Sequence, residues 1–224
     1  MRAPLRHALP ALAPVVPGVA ARLGLPRTVA THPGPGVALT FDDGPHPEGT
    51  PAILAILAQE DVKATFFLVG EQVERRPALA AEIVAAGHAV GLHGHRHRCQ
   101  VRLTATEILE DYRRGTAAIE DAAQRSPELH RPPYGIYTAA GLAAARERRL
   151  RPLLWSKWGK DWRKFTTPER IAARAPAGIA DGDVILLHDA DFYSSRDSHR
   201  RTARALPLVI GELKRRELGT VLAV

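Results

Sequence analysis

The sequence predicts an α/β fold, a distorted (β/α) barrel of about seven strands. Three observations lead there. From Val37 onward, short apolar runs alternate with longer helical patterns, the order that βα units produce. The runs are apolar at nearly every position, as in parallel strands buried on both faces. Roughly seven such units follow position 36, which favours a closed or nearly closed barrel over an open sheet, and an irregular one, because a regular barrel takes about 250 residues.

VALTF (37–41) reads as the first buried strand. A helix follows over 50–60, with Pro51 in its first turn, where a missing N–H costs nothing. KATFFLV (63–69) is the second strand, and 77–86 a helix closed by Gly87. HAVGLH (88–93) is the third strand. The long pattern over 104–124 opens with Thr104 and Glu107 at capping-box spacing. A short segment ending at His130 leads into RPPYG. Then come a helix over 138–149, the strand LRPLLW (150–155) and a helix over 167–175. The strand GDVILLH (182–188), a helix over 198–216 and the closing strand GTVLAV (219–224) complete the pattern.

HPGPG (32–36) separates this domain, residues 37–224, from an irregular arm, residues 1–36. The arm is rich in Ala, Leu and Val. Pro4, Pro10, Pro14, Pro17 and Pro26 interrupt every apolar stretch that a signal peptide or membrane anchor needs. No stable membrane insertion and a cytoplasmic location are therefore expected. The net charge of +7 raises acidic partners such as nucleic acid. The excess comes from 26 Arg beside only 5 Lys and no Asn, a skew that fits biased coding, and the arginines are scattered rather than gathered in a stripe. Aromatics are 5%, too few for a base-stacking platform, so no nucleic-acid partner is expected. Cys99 is the only cysteine, which excludes an internal disulfide and a cysteine-based zinc site. A monomer is expected.

In a parallel barrel the reactive groups sit at the C-terminal ends of the strands. Five stretches meet that condition. They are Asp42-Asp43-Gly44-Pro45 after VALTF, His93 with His97 after HAVGL, Arg131 to Tyr134 in RPPYG, Asp161-Trp162 after LRPLLW, and His188-Asp189 after DVILL. Asp-Asp before Gly-Pro alone is often only a turn; five such stretches make a constellation. Adjacent carboxylates repel unless a cation screens them. Two imidazoles and one carboxylate form a facial ligand set with open positions for water. A metal would lower that water's pKa from about 15.7 toward 7, with the second carboxylate free to act as general base. His188 is placed to protonate a leaving group, and the Tyr134 N–H to meet an oxyanion. These parts add up to metal-assisted hydrolysis of an amide or ester. GLHGHRH leaves the ligand number open. On an extended strand His93, His95 and His97 share one face; on a helical turn only His93 and His97 do.

The stretches resemble, in order, the five motifs of the polysaccharide deacetylases, the NodB-type enzymes of carbohydrate esterase family four. TFDDGP (40–45) is the first, His93-x-x-x-His97 the second, Arg131-Pro132-Pro133-Tyr134 the third, Asp161-Trp162 the fourth and Leu186-Leu187-His188 the fifth. The resemblance runs from Val37 to the end of the chain. It implies a distorted barrel and one divalent metal ion, usually zinc, with cobalt, nickel or manganese as alternatives. It implies Asp43, His93 and His97 as the ligands, without His95, and Asp42 as the catalytic base, paired with and oriented by Arg131. The Tyr134 N–H and the metal would share the oxyanion. His188, stabilised in its charged form by Asp161, would protonate the departing amine. Leu186 and Trp162 would line the pocket for the acetyl methyl. The implied reaction removes N-linked acetyl groups from an N-acetylated carbohydrate, a GlcNAc-type oligo- or polysaccharide or a smaller glycoconjugate.

Other readings compete. An O-acetyl esterase or a non-sugar amidase would use the same residues. A non-catalytic carbohydrate-binding relative is opposed by the presence of base, acid and all three ligands. A mononuclear iron oxygenase shares the ligand set but gives no work to the second aspartate or to the His188–Asp161 pair. The chain also departs from the family pattern. Gly94 replaces a usual Ser or Thr, which puts the rigidity of the histidine loop in question, and Lys157 and Trp158 are large where many members are smaller or acidic. Trp155 and Trp158 read as packing residues, His95 as solvent-facing or behind the ligands, His46 as a turn residue able to reach the rim, and Cys99 as a buried, inert thiol. His88 is expected to begin a buried strand and satisfy a backbone group. Asp189 and Asp191 are divided evenly between contacting substrate and capping their loop.

Overall fold

The computed structural model describes residues 34–223. Most of the expected arm, residues 1–33, and Val224 lie outside them. Strand β1 (Val37–Asp42) is followed by α1 (Gly49–Gln59), β2 (Thr65–Leu68), α2 (Gly70–Arg75), α3 (Pro77–Ala85) and β3 (Ala89–Leu92). Then come α4 (Ala105–Ala123), β4 (Leu129–His130), α5 (Ala139–Glu147), β5 (Arg151–Pro152) and β6 (Lys157–Trp158). The chain closes with α6 (Pro168–Arg174), β7 (Val184–His188), α7 (Ser198–Arg215) and β8 (Thr220–Val221).

All the strand pairings are parallel, in the order β5-β4-β3-β2-β1-β7-β6, with β8 added to the start of β1. The two edges, β5 and β6, are consecutive in sequence. Residues 153–156 cross between them, with Leu153 N–H on His130 O and Ser156 N–H on Val184 O. The chain thus closes the barrel where no ladder does. This explains why the expected strand 150–155 is a strand only at Arg151–Pro152, with a second short strand, not expected, following at Lys157–Trp158. Pro152 has no N–H to continue a ladder, and the residues after it leave β4 for β7. Helix α2 was not expected from the sequence; its single turn and a half is too short to show a helical period.

Alternation sorts the strand residues into two cores. Val37, Leu39, Phe41, Phe66, Leu68, Ile185 and Leu187 pack outward against the helices. Ala38, Phe67, Val184 and Leu186 face inward with Leu153, Leu154 and Trp155. The inner face at β1 is small and polar, Ala38, Thr40 and Asp42, which leaves room for one long side chain, the fully buried Arg131. At the helix starts, Thr104 and Glu107 form the expected capping box, and Thr138 and Thr167 cap α5 and α6.

Helix α4 presses on the segment that follows β3. A Cβ at Gly115 would come within 2.5 Å of Leu92 Cδ1 and 3.0 Å of His95 N. Gly115→Ala is expected to cost about 1–3 kcal/mol in denaturant unfolding, because the crowding falls partly on backbone that cannot yield. Among the described residues no helix is long and apolar enough to cross a membrane.

Candidate active site

The C-terminal ends of β1, β3, β4 and β7 and the loops after them surround a cavity of about 270 Å³. Strand register sets its two sides. Asp42 pairs directly with His188 across β1 and β7, and such neighbours in adjacent parallel strands stand about 4.8 Å apart. On the other side, His93 N–H bonds Leu68 O and Arg131 N–H bonds Leu92 O, so His93 and Arg131 emerge next to each other.

Asp43, His93 and His97 converge. His93 Nε2 lies 3.4 Å and His97 Nε2 3.2 Å from Asp43 Oδ1. Ligand atoms 2.0–2.1 Å from a tetrahedral ion stand about 3.3–3.4 Å apart, so the spacing suits one metal ion. The donor chemistry suits it as well. His93 Nδ1 donates to Arg131 O at 2.7 Å, which leaves the Nε2 lone pair facing Asp43. Asp43 Oδ1 is buried with no hydrogen-bond partner. Burial alone would raise the Asp43 carboxyl, but the close imidazoles of His93 and His97 and the charge of His188 hold it well below the ordinary carboxylate range. Asp43 itself has φ 80°, a left-handed backbone that turns its carboxylate away from the direction of Asp42.

Asp42 is held from the barrel interior. Arg131 Nη1 donates to Asp42 Oδ1 at 2.7 Å and to Thr40 Oγ1 at 2.8 Å. Arg131 Nε and Nη2 donate to the carbonyls of Leu153 and Leu154, in the segment that closes the barrel, and its guanidinium lies 4.0 Å from the Phe67 ring centre. On the opposite side, Asp161 grips His188 twice, at the ring Nδ1 (2.9 Å) and the backbone N–H (2.7 Å), and also accepts Thr202 Oγ1–H at 2.7 Å. Burial would lower the His188 pKa. The charge and hydrogen bond of Asp161, with the charges of Asp43 and Asp42, outweigh it and raise the pKa to about 10. Tyr134 sits in the turn after two prolines with φ 64°, its side chain exposed, and Trp162 and Leu186 line the cavity.

The histidine segment after β3 is neither strand nor helix. His95 is buried rather than solvent-facing. Its ring packs toward Gly70 and Glu74, away from Asp43, and its N–H bonds Asp111 Oδ2 at 2.8 Å. Asp111 also takes Arg96 N–H, so a carboxylate from α4 ties the loop, and Gly94 serves it with φ 80°, a left-handed conformation in which a Cβ would crowd Asp111. His88 Nδ1 accepts Ala64 N–H, the backbone role expected of it. Cys99 is half-exposed rather than buried.

Asp189 and Asp191 stand outside the cavity lining. Asp189 is fully buried, accepts Thr50 Oγ1–H and packs on Gly44; burial raises its pKa to about 7. Asp191 lies between His46 and His199, with Oδ1 3.4 Å from His46 Nε2 and Oδ2 3.3 Å from His199 Nδ1. This is a second histidine–aspartate group close enough to hold an ion. His46 Nδ1, however, accepts the N–H groups of Gly49 and Glu48. Its proton is therefore on Nε2, facing Asp191, and no lone pair is left there for a metal. The group is a carboxylate held between imidazoles.

Trp155 and Trp158 do line the cavity, beside Gly135, Tyr193 and Ser194. Tyr193 was not singled out in the sequence. It follows the β7 apolar run in the same loop as Asp189, so the rule that pointed to His188 extends to it.

Residues 30–153 match the polysaccharide deacetylase family. The chain is 37% identical over 187 residues to a chitooligosaccharide deacetylase of Bradyrhizobium sp. (strain ANU 289), a match that covers 80% of this chain and 85% of that one. It is similar to the crystal structure of a peptidoglycan N-acetylglucosamine deacetylase, with TM-score 0.80, 32% identity, and 86% and 89% of the two chains covered. It is also similar to a pseudoenzyme of carbohydrate esterase family four from Bacillus anthracis, with TM-score 0.75, 28% identity, and 84% and 63% covered. Fold alone therefore does not decide activity, and the side chains of the site must. With this matched span, this identity and the five stretches gathered around one cavity, the chain belongs to the polysaccharide deacetylase family.

Proposed function

We propose that this protein is a metal-dependent hydrolase that removes N-linked acetyl groups from a GlcNAc-type oligo- or polysaccharide or a smaller glycoconjugate. The observation that carries the reading is the meeting of three separate devices on one cavity: Asp43 with His93 and His97, Asp42 with Arg131, and His188 with Asp161. Asp43, His93 and His97 would hold one divalent ion, zinc by the nitrogen-rich donor set, with cobalt, nickel or manganese as substitutes. Bound there, such an ion lowers the pKa of a coordinated water toward about 7 and polarises a carbonyl oxygen.

The remaining steps belong to side chains of this chain. Asp42, fixed by Arg131, takes a proton from the attacking water. The Tyr134 N–H donates to the carbonyl oxygen as it becomes an oxyanion. His188, kept protonated by Asp161, gives a proton to the amide nitrogen, so that the amine leaves neutral and acetate remains. Leu186 and Trp162 pack against the acetyl methyl. An O-acetyl ester would fit the same sequence of events with less need of a proton donor, because an alkoxide leaves more easily than an amide anion. The His188–Asp161 pair, in which a fully buried carboxylate keeps the imidazole protonated, favours the amide.

The assay is acetate release from N-acetylglucosamine, its short oligomers and O-acetylated sugars, with the new amine measured in parallel. Equal yields of acetate and amine from an N-acetyl substrate support the reading. Acetate from O-acetyl sugars alone would replace it with the esterase.

The His188 pair also gives a pH test. A folded pKa raised to about 10 means that the stability this group contributes is full below about 6.5, the ordinary histidine value, and is lost as pH rises through about 10. In Asp161→Asn only Asp43 and Asp42 oppose burial. The His188 pKa, followed by NMR, is expected to fall toward the ordinary value, and the alkaline limb of kcat to move to lower pH.

A further inference from the structure

We propose that Tyr193 is a positioning residue for the metal ligand His97. The inference rests on the ligand assignment above. A ligating histidine usually donates its second ring N–H to a carbonyl or carboxylate, which fixes the ring. His93 does so through Arg131 O. His97 does not, because its Nδ1 is buried and has no hydrogen-bond partner. The backbone around His97 belongs to no strand or helix, so regular structure does not hold the ring either.

Aromatic contact takes the place of that hydrogen bond. The Tyr193 ring lies flat on His97, with centroids 4.2 Å apart and planes 8° from parallel, and Tyr134 meets the same imidazole edge-on at 4.8 Å. Tyr193 can act as a fixed plate because its hydroxyl is anchored at the far end. It donates to Glu71 Oε1 at 2.8 Å and accepts from Gln72 Nε2 at 3.0 Å. Both partners sit on α2, and α2 also grips the histidine segment through Gly70 N–H on Gly94 O and Glu71 N–H on His95 O. The loop that carries Tyr193 is braced from behind, where Asp191 accepts Asp197 N–H at 2.7 Å and lies between His46 and His199. Three segments that meet only at the rim, the histidine segment, α2 and the β7–α7 loop, thus converge on the orientation of one ligand.

The test is metal affinity, read without substrate. Zinc dissociation constants are measured by chelator competition for the wild type, Tyr193→Ala, Tyr193→Phe and Glu71→Gln, each first stripped of metal, with the melting temperature of the stripped protein recorded alongside. Tyr193→Ala is expected to bind about tenfold more weakly or worse, in the range found for groups behind metal ligands. Tyr193→Phe keeps the plate but frees it, and is expected to lose a smaller factor. Glu71→Gln keeps an acceptor for the hydroxyl and is expected to bind as the wild type does. Wild-type affinity in Tyr193→Ala overturns the proposal; if KM alone then rises, Tyr193 is a sugar contact. Should Tyr193→Ala fail to fold, an unchanged constant in Tyr193→Phe overturns it equally. A wild-type protein that binds no zinc would instead remove the ligand assignment itself, and this inference with it.

Discussion

Asp42→Asn is expected to lower kcat by about 10²–10⁴-fold while metal content stays at the wild-type value, and to lower the melting temperature because the buried Arg131 charge loses its counterion. The substitution is isosteric, and its side-chain oxygen can still accept from Arg131 Nη1, which now lies 2.7 Å from Asp42 Oδ1. What is lost is the charge, and with it the ability to take a proton. Asp42 is not expected to be a ligand, since His93 Nε2 lies 3.9 Å from Asp42 Oδ2 but 3.4 Å from Asp43 Oδ1. Asp43→Asn should show the reverse pattern, with metal lost first and activity lost as a consequence. The pair of variants separates the two adjacent carboxylates by role. Elemental analysis beside the acetate assay reads both.

Arg131→Leu is expected to destabilise the fold by about 3–5 kcal/mol, the usual cost of removing one partner from a buried ion pair. The guanidinium is fully buried and serves four oxygens, on Thr40, Asp42, Leu153 and Leu154. Removing it strands a buried carboxylate and two carbonyls of the segment that closes the barrel. Arg131→Lys keeps the charge without the fork, so it cannot reach all four and should fall between. Equilibrium denaturation measures both. An Arg131→Leu protein as stable as the wild type would mean that Asp42 finds other partners and that closure does not depend on this side chain.

Much of this was legible in the sequence, for physical reasons that can be named. Strands buried on both faces are apolar throughout, so VALTF and VILLH stand out, and the chemistry of a parallel barrel follows directly after them. Asp42, Asp43, His93, His97, Arg131 and His188 were found by that rule. The capping box at Thr104 is a local signal and was equally readable. What escaped was set by tertiary contact. The crossing of residues 153–156 depends on where β4 and β7 lie, which no local pattern records. The burial of His95 depends on α2 and Asp111, both distant in sequence. Trp155 and Trp158 are apolar residues that pack and line the cavity at once, and composition does not separate the two roles. Tyr193 gains its place from the stack on His97, a contact between loops that follow different strands.

The most direct measurement is a titration of metal-stripped protein with zinc or cobalt in which bound ion and acetate release from an N-acetylglucosamine oligomer are followed together. Activity that is absent at the start, rises in proportion to bound ion and levels off at one equivalent is the result expected from a single site at Asp43, His93 and His97. Full activity in the stripped protein, or one equivalent bound with no acetate released from any N-acetyl sugar, would contradict it.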